Sequence, residues 1–203
     1  MRPYILLLFV LVLTSLAGCK KNELPEPVQE IPAVWMDCKI NGVKFEFKAG
    51  INAVYGSVFN NIIDTAKGQF IFQLVSPEYH KVIEVAINNF NEVNTTVAED
   101  LAKTIQTKTY RYMYSNTFPL LTYKPGEVQV YYGDKATGYD YYSAAYHQDS
   151  TRYFSITSVK DVVYHNKHYK LAEVSFSCMV KTPYNNKWYN ITEGHGAIPF
   201  GEN

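Results

Sequence analysis

Three kinds of side chain in this sequence could do chemistry: thiols, imidazoles and a dense set of phenols. The thiols are Cys19, Cys38 and Cys178. A thiolate is a good nucleophile, but neither Cys38 nor Cys178 has a histidine near it in the chain, and both sit in strand-like apolar runs, so a catalytic cysteine is not indicated. The two could form a disulfide, or remain free and pack as small hydrophobes. Among the imidazoles the one close pair is His165-x-x-His168, with no cysteine or carboxylate cluster to complete the three or four ligands of a zinc site. His195 lies between Gly194 and Gly196, a pattern that marks a β-bulge better than a reactive loop. The phenols crowd the middle of the chain, where Tyr131, Tyr132, Tyr139, Tyr141 and Tyr142 offer flat apolar faces with polar tips. Such groups suit a surface that binds protein or glycan at low entropic cost. Neighbouring strand residues point to opposite faces, so one member of each adjacent pair faces outward.

Cys19 differs from the other two thiols in its setting. Arg2 precedes an unbroken apolar run over residues 4–13, too short to cross a bilayer as a mature helix and the right length for a signal-peptide core. Leu16, Ala17, Gly18 and Cys19 follow it. This resembles the bacterial lipoprotein signal peptide, whose lipobox is Leu, two small residues and Cys. The resemblance implies that the leader 1–18 is removed, that the Cys19 sulfur carries a diacylglyceryl group, and that its new amine is acylated. Two or three acyl chains, at about 0.8 kcal/mol per buried CH₂, hold a protein on a membrane where one alone would not. Lys20, rather than Asp, after the lipidated residue implies by lipoprotein sorting a place in the outer membrane of the cell envelope. Residues 19–32 carry Pro25, Pro27 and Pro32 with no apolar period, and are expected to be a tether of about 20–40 Å.

Composition narrows the rest. Lys+Arg 19 balance Asp+Glu 19. Such a chain has no general field for nucleic acid, and nucleic acid is set aside. Tyr 18 and Phe 11, with frequent Val, Ile and Thr, favour pleated strands. No nucleophile elbow, phosphate loop, dinucleotide fingerprint or His-Glu-x-x-His pattern occurs, so neither enzyme activity, nor a cofactor, nor a metal is indicated.

Alternating apolar residues at 34–40 and 43–47 flank Asn41-Gly42, the sequence of a two-residue hairpin turn. Further strands are expected at 54–59, 70–74, 83–87, 110–114, 128–132 and 139–145. A strong pair follows at 152–159 and 169–180, and residues 188–191 and 197–200 close the domain. Val97, Leu101 and Ile105 at four-residue spacing predict one short helix over about 96–105. Strands at this spacing predict a single all-β domain over 33–203, an antiparallel two-sheet β-sandwich. The segment Ile40-Asn41-Gly42-Val43-Lys44-Phe45 and the closing Ile191-Thr192-Glu193-Gly194, behind a lipobox, resemble uncharacterised secreted β-sandwich lipoproteins. The His195-Gly196-Ala197 continuation departs from the aromatic expected there. Two functions follow as expectations: a non-catalytic binding or adhesion module for an unknown protein or glycan, or a small-ligand carrier with a lipocalin-like barrel cavity.

Overall fold

The hairpin at Asn41-Gly42 sets the first register. In the computed structural model Asn41 and Gly42 both take positive φ (49° and 83°), as the tight turn needs, and Ile40 faces Val43 across it. The structure describes residues 33–51, 54–64, 67–89, 96–113, 124–143, 148–164, 166–182 and 187–201. The expected leader, Cys19 and the tether lie outside these residues. So do Tyr114, Tyr123, Tyr146, His147 and His165.

The elements are β1 (Trp35–Ile40), β2 (Val43–Lys48), β3 (Tyr55–Asp64), β4 (Lys67–Ser76), β5 (Lys81–Asn88), α1 (Val97–Thr104), β6 (Lys108–Tyr112), β7 (Glu127–Asp134), β8 (Tyr139–Ser143), β9 (Tyr153–Tyr164), β10 (Lys167–Lys181) and β11 (Trp188–Gly201). The all-β expectation holds, with the helix where the spacing put it. Thr96 caps α1 reciprocally: its hydroxyl accepts from Glu99 N (3.3 Å), and Glu99 Oε2 accepts from Thr96 N (2.7 Å). Leu101 and Ile105 are buried.

Two finer expectations need correction. The strands form one hydrogen-bonded sheet, in the order β2-β1-β11-β10-β9-β6-β7-β5-β4-β3, with β8 bridging β10 and β7. Its two ends fold toward each other, β3 and β4 meeting β11 and β2 meeting β4, so the layers face as in a sandwich while the hydrogen bonding stays continuous. Nor is every pairing antiparallel: β6 runs antiparallel to β9 but parallel to β7. That strand carries the ladder from one half to the other, which a sandwich of two separate sheets would interrupt.

β11 holds the expected bulge. Asp37 and Lys39 of β1 face His195 and Thr192, while Phe176 and Cys178 of β10 face Gly194 and Ile191, so β11 carries one extra residue on both sides. Glu193 sits at φ 51° in this bulge and pairs with Lys39 at 2.7 Å. The core between the layers is closed by Phe47, Phe70, Phe72, Phe154, Phe176 and Phe200, all essentially without exposed surface. At roughly 1.5–3 kcal/mol for each large apolar side chain buried, this aromatic filling is what holds the layers together.

Candidate functional site

Strand parity divides the tyrosines. Tyr132 and Tyr141 share the inward parity of Val128 and Val130 and are fully buried. With Tyr189 they make an interior cluster, the ring centroids 4.5–5.8 Å apart. Burial pushes the Tyr189 phenol up to about 12 and Tyr132 higher. Neither Tyr132 nor Tyr141 can meet a ligand while the sheet stays closed, and both leave the expected binding surface. The Tyr139 side chain lies outside the described residues.

Tyr131 and Tyr142 face outward and pack edge-on, their centroids 5.2 Å apart. The registers place them in a longer row. Gln73 faces Glu84, Glu84 faces Tyr131, Tyr131 faces Tyr142, Tyr142 faces Lys181, and Lys181 faces Trp188. Directly paired residues share a face, so this is one outer row across β4, β5, β7, β8, β10 and β11. Three strand spacings separate Tyr131 from Trp188, about 14 Å. Trp188 is 38% exposed, and Lys181 Nζ stands 4.7 Å from its ring centroid.

The row is held in place. The Tyr131 hydroxyl donates to Asp140 Oδ1, and its ring lies over Gly133, the residue that faces Asp140. Burial, then the carboxylate that accepts its proton, holds the phenol well above the ordinary tyrosine value. Glu84 Oε2 accepts from Gln73 Nε2 at 3.0 Å. Burial, with the Asp140 charge adding to it, raises Glu84 above the usual carboxylate range. The arrangement can stack flat apolar faces and accept or donate hydrogen bonds beside them.

The cysteines point inward as their parity requires, but the disulfide reading fails on topology. β11 lies between β1 and β10. Two strand spacings put the Cα atoms about 9–10 Å apart, beyond the roughly 7 Å a bridge can span. Both are buried free thiols. Burial, with the Asp37 charge adding to it, pushes Cys38 up to about 12, and burial pushes Cys178 higher. His168 is exposed on β10 opposite Val163, and His195 is exposed within β11 opposite Asp37 and Ser175. Among the described residues no three His, Cys, Asp or Glu side chains gather as a metal site.

Sequence reasoning missed a fork in the sheet. Along β10, the β9 partner ends at Ser177 and the β8 partner begins at Val180, which leaves Cys178 and Met179 between them. Gln148 fills the gap with its side-chain amide, which accepts from Met179 N (2.8 Å) and donates to Met179 O (2.9 Å). Along β7 the same change of partner falls between Val128 and Tyr131, and Ser143 Oγ accepts from Val130 N at 2.8 Å. A cavity of about 380 Å³ opens at the fork, lined by Arg111, Tyr112, Lys124, Glu127, Gln148 and Arg152. No motif spacing signals it, because its residues come from three separate stretches of chain. Compared with protein families, curated proteins and solved structures, the chain finds no match among any of them.

Proposed function

We propose that this chain is a lipid-anchored protein of the cell envelope, held in the outer membrane through Cys19, whose domain is a non-catalytic binding module for a glycan. The observation that carries the reading is the outer row Glu84, Tyr131, Tyr142, Lys181 and Trp188 with Asp140 beside it. A sugar ring has one apolar C–H face, which packs on an aromatic face, and a rim of hydroxyls, which donate to carboxylates and accept from an ammonium. Two aromatic platforms about 14 Å apart at their ends, with charged groups on the same strip, match an extended chain of such rings. The filled aromatic interior supports this reading over a small-ligand carrier, which needs an internal cavity.

The test is a glycan panel followed by calorimetry on the detergent-solubilised full chain. Tyr142→Ala and Trp188→Ala should each weaken the glycan that binds by about tenfold, near 1.4 kcal/mol, with folding intact. No retained glycan, or variants that bind as the parent does, overturns the glycan reading. Retention of a protein on the same row instead would do so as well. For the anchor, Cys19→Ala should move the chain to the soluble fraction and end palmitate labelling, and a variant still acylated at the membrane would refute it.

A further inference from the structure

We propose that the outer edge of β2 is a self-pairing interface, at which a second copy of this chain adds its own β2 antiparallel to the first. β2 ends the sheet, and among the described residues β1 is its one strand partner. Ala49 N donates to Val34 O at 3.0 Å, in phase with the Ile40–Val43 pair that closes the turn. Hydrogen-bonding groups alternate between the two sides of a strand. Val43, Phe45 and Phe47 therefore turn theirs toward β1, and Lys44, Glu46 and Lys48 turn theirs outward. The latter three residues are exposed, and their outward N–H and C=O groups are a template for another strand.

Charge selects the partner and the register. Two antiparallel registers keep most of β2 paired in this hydrogen-bond phase. A two-fold axis at Glu46 sets that residue against itself and Lys44 against Lys48, and like charges directly opposite repel. An axis at Phe45 sets Lys44 against Glu46 of the second copy, and Glu46 against its Lys44, so every facing pair is opposite in sign. β1 offers the reverse, since across β1–β2 Lys44 faces Lys39 and Glu46 faces Asp37. In the single chain Glu46 is met along its own strand, by Lys44 at 2.6 Å and Lys48 at 3.7 Å. The second copy adds an opposite charge directly across from each. On the other face the same axis brings Val43, 59% exposed, opposite Phe47 of the second copy, and Phe45 opposite its own counterpart. A strand of six residues makes a small interface, and two copies anchored on one membrane meet at a raised effective concentration. The pairing leaves the two Ala33 ends about 35 Å apart, within the reach expected of two tethers.

The test is sedimentation of the detergent-solubilised full chain, with micelles in excess of chains and no glycan present. The parent should form a reversible dimer with a Kd of about 1–100 μM. Lys44→Glu and Glu46→Lys each set like charges across the axis, and each alone should weaken the dimer at least about tenfold. Mixing the two variants should restore a dimer, because every facing pair is then opposite in sign. The double variant Lys44→Glu/Glu46→Lys should pair with itself as the parent does, which an axis elsewhere along β2 does not allow. Both positions are exposed on an edge strand, so the variants keep the fold. Tyr142→Ala, aimed at the outer row, should dimerise unchanged. A parent that stays monomeric to about 1 mM leaves the edge to another partner and overturns the proposal. So do single variants that dimerise as the parent does, a mixture no tighter than its components, or a double variant that stays apart.

Discussion

Gly133→Ala tests whether the outer row is a positioned surface or an accident of strand composition. A methyl at Gly133 would stand 2.7 Å from the Tyr131 hydroxyl oxygen and 3.2 Å from Cε1 and Cζ of that ring. Tyr131 is half-buried at the outer face, so its ring can swing into solvent, and the cost of doing so is the bond to Asp140. A hydrogen bond to a charged group is worth about 1.5–3 kcal/mol, and less at an exposed site. Replacing Gly by Ala returns about 0.4–1 kcal/mol by restricting the unfolded chain. The net loss is about 1 kcal/mol, a fall in Tm of about 2–4 °C for a chain of this size. The phenol reports the movement directly. Freed from burial and from Asp140, Tyr131 should ionise near the ordinary value of about 10, so an ultraviolet titration gains one tyrosine in that range. Gly133→Ala/Tyr131→Phe subtracts that signal and assigns it. A loss above about 3 kcal/mol would mean a ring that cannot swing, as in an overpacked core. An unchanged titration would mean that the methyl does not displace it. Either result refutes the reasoning.

At Gly194 the same substitution should behave differently. A methyl there meets Phe176 Cε1 and Cζ at 2.6 Å, and that ring has no exposed surface, so Gly194→Ala should cost about 1–3 kcal/mol or more by urea unfolding. Adding Phe176→Leu should recover part of the loss, and strictly additive costs would refute the contact. Burial, with Asp140 adding, raises Glu84 in the folded protein, which therefore binds more protons than the unfolded chain between the ordinary carboxylate value and the raised one. Stability falls as pH rises through that window, so Glu84→Gln should flatten the slope in a denaturation series from about pH 4 upward, and parallel profiles would refute it. The thiols at Cys38 and Cys178 should resist thiol reagents in the native protein and react once it unfolds, with Tm indifferent to reductant. Native labelling, or a Tm that reductant lowers, would contradict the buried free thiols.

What was legible in the sequence was local. The turn at Asn41-Gly42 needs only its own two residues and the alternation beside them, and the structure has it at that place. The bulge needed only Gly194 and Gly196 inside an apolar strand, although the residue that takes positive φ is Glu193. β3 was expected over 54–59 and runs over Tyr55–Asp64, because its polar second half is carried by the ladder to β4, from Asn60 opposite Phe70 to Asp64 opposite Lys67. The parallel β6–β7 contact and the merging of two layers into one sheet depend on which strand neighbours which. Two pairs form there, Arg111 with Glu127 and Tyr112 with Val128, and nothing in either stretch names the other. The same nonlocality removed the disulfide. Inward parity was readable at Cys38 and Cys178, whereas the insertion of β11 between their strands was not.

The tyrosines show where along the chain of inference this limit falls. Tyr132 shares its parity with Val128 and Val130, and Tyr131 shares its own with Gln129 and Gly133, so the inward member of the first pair follows from neighbours in sequence. Tyr142 shares its parity with Asp140, which settles the second pair in the same way. Parity thus selects Tyr131 and Tyr142 without a structure. It cannot bring in Trp188, which reaches the row only because β10 pairs with β8 at Lys181 and with β11 at the same residue. Nor can it reveal the fork, where Gln148 and Ser143 supply by side chain the backbone partners that Met179 and Val130 lack. A cavity made by change of partner along a strand exists only at the level of pairing. Its residues are therefore free to look ordinary in sequence, and Glu127 and Arg152 do: a carboxylate and a guanidinium near strand starts, with nothing in their spacing to set them apart until the sheet divides around them.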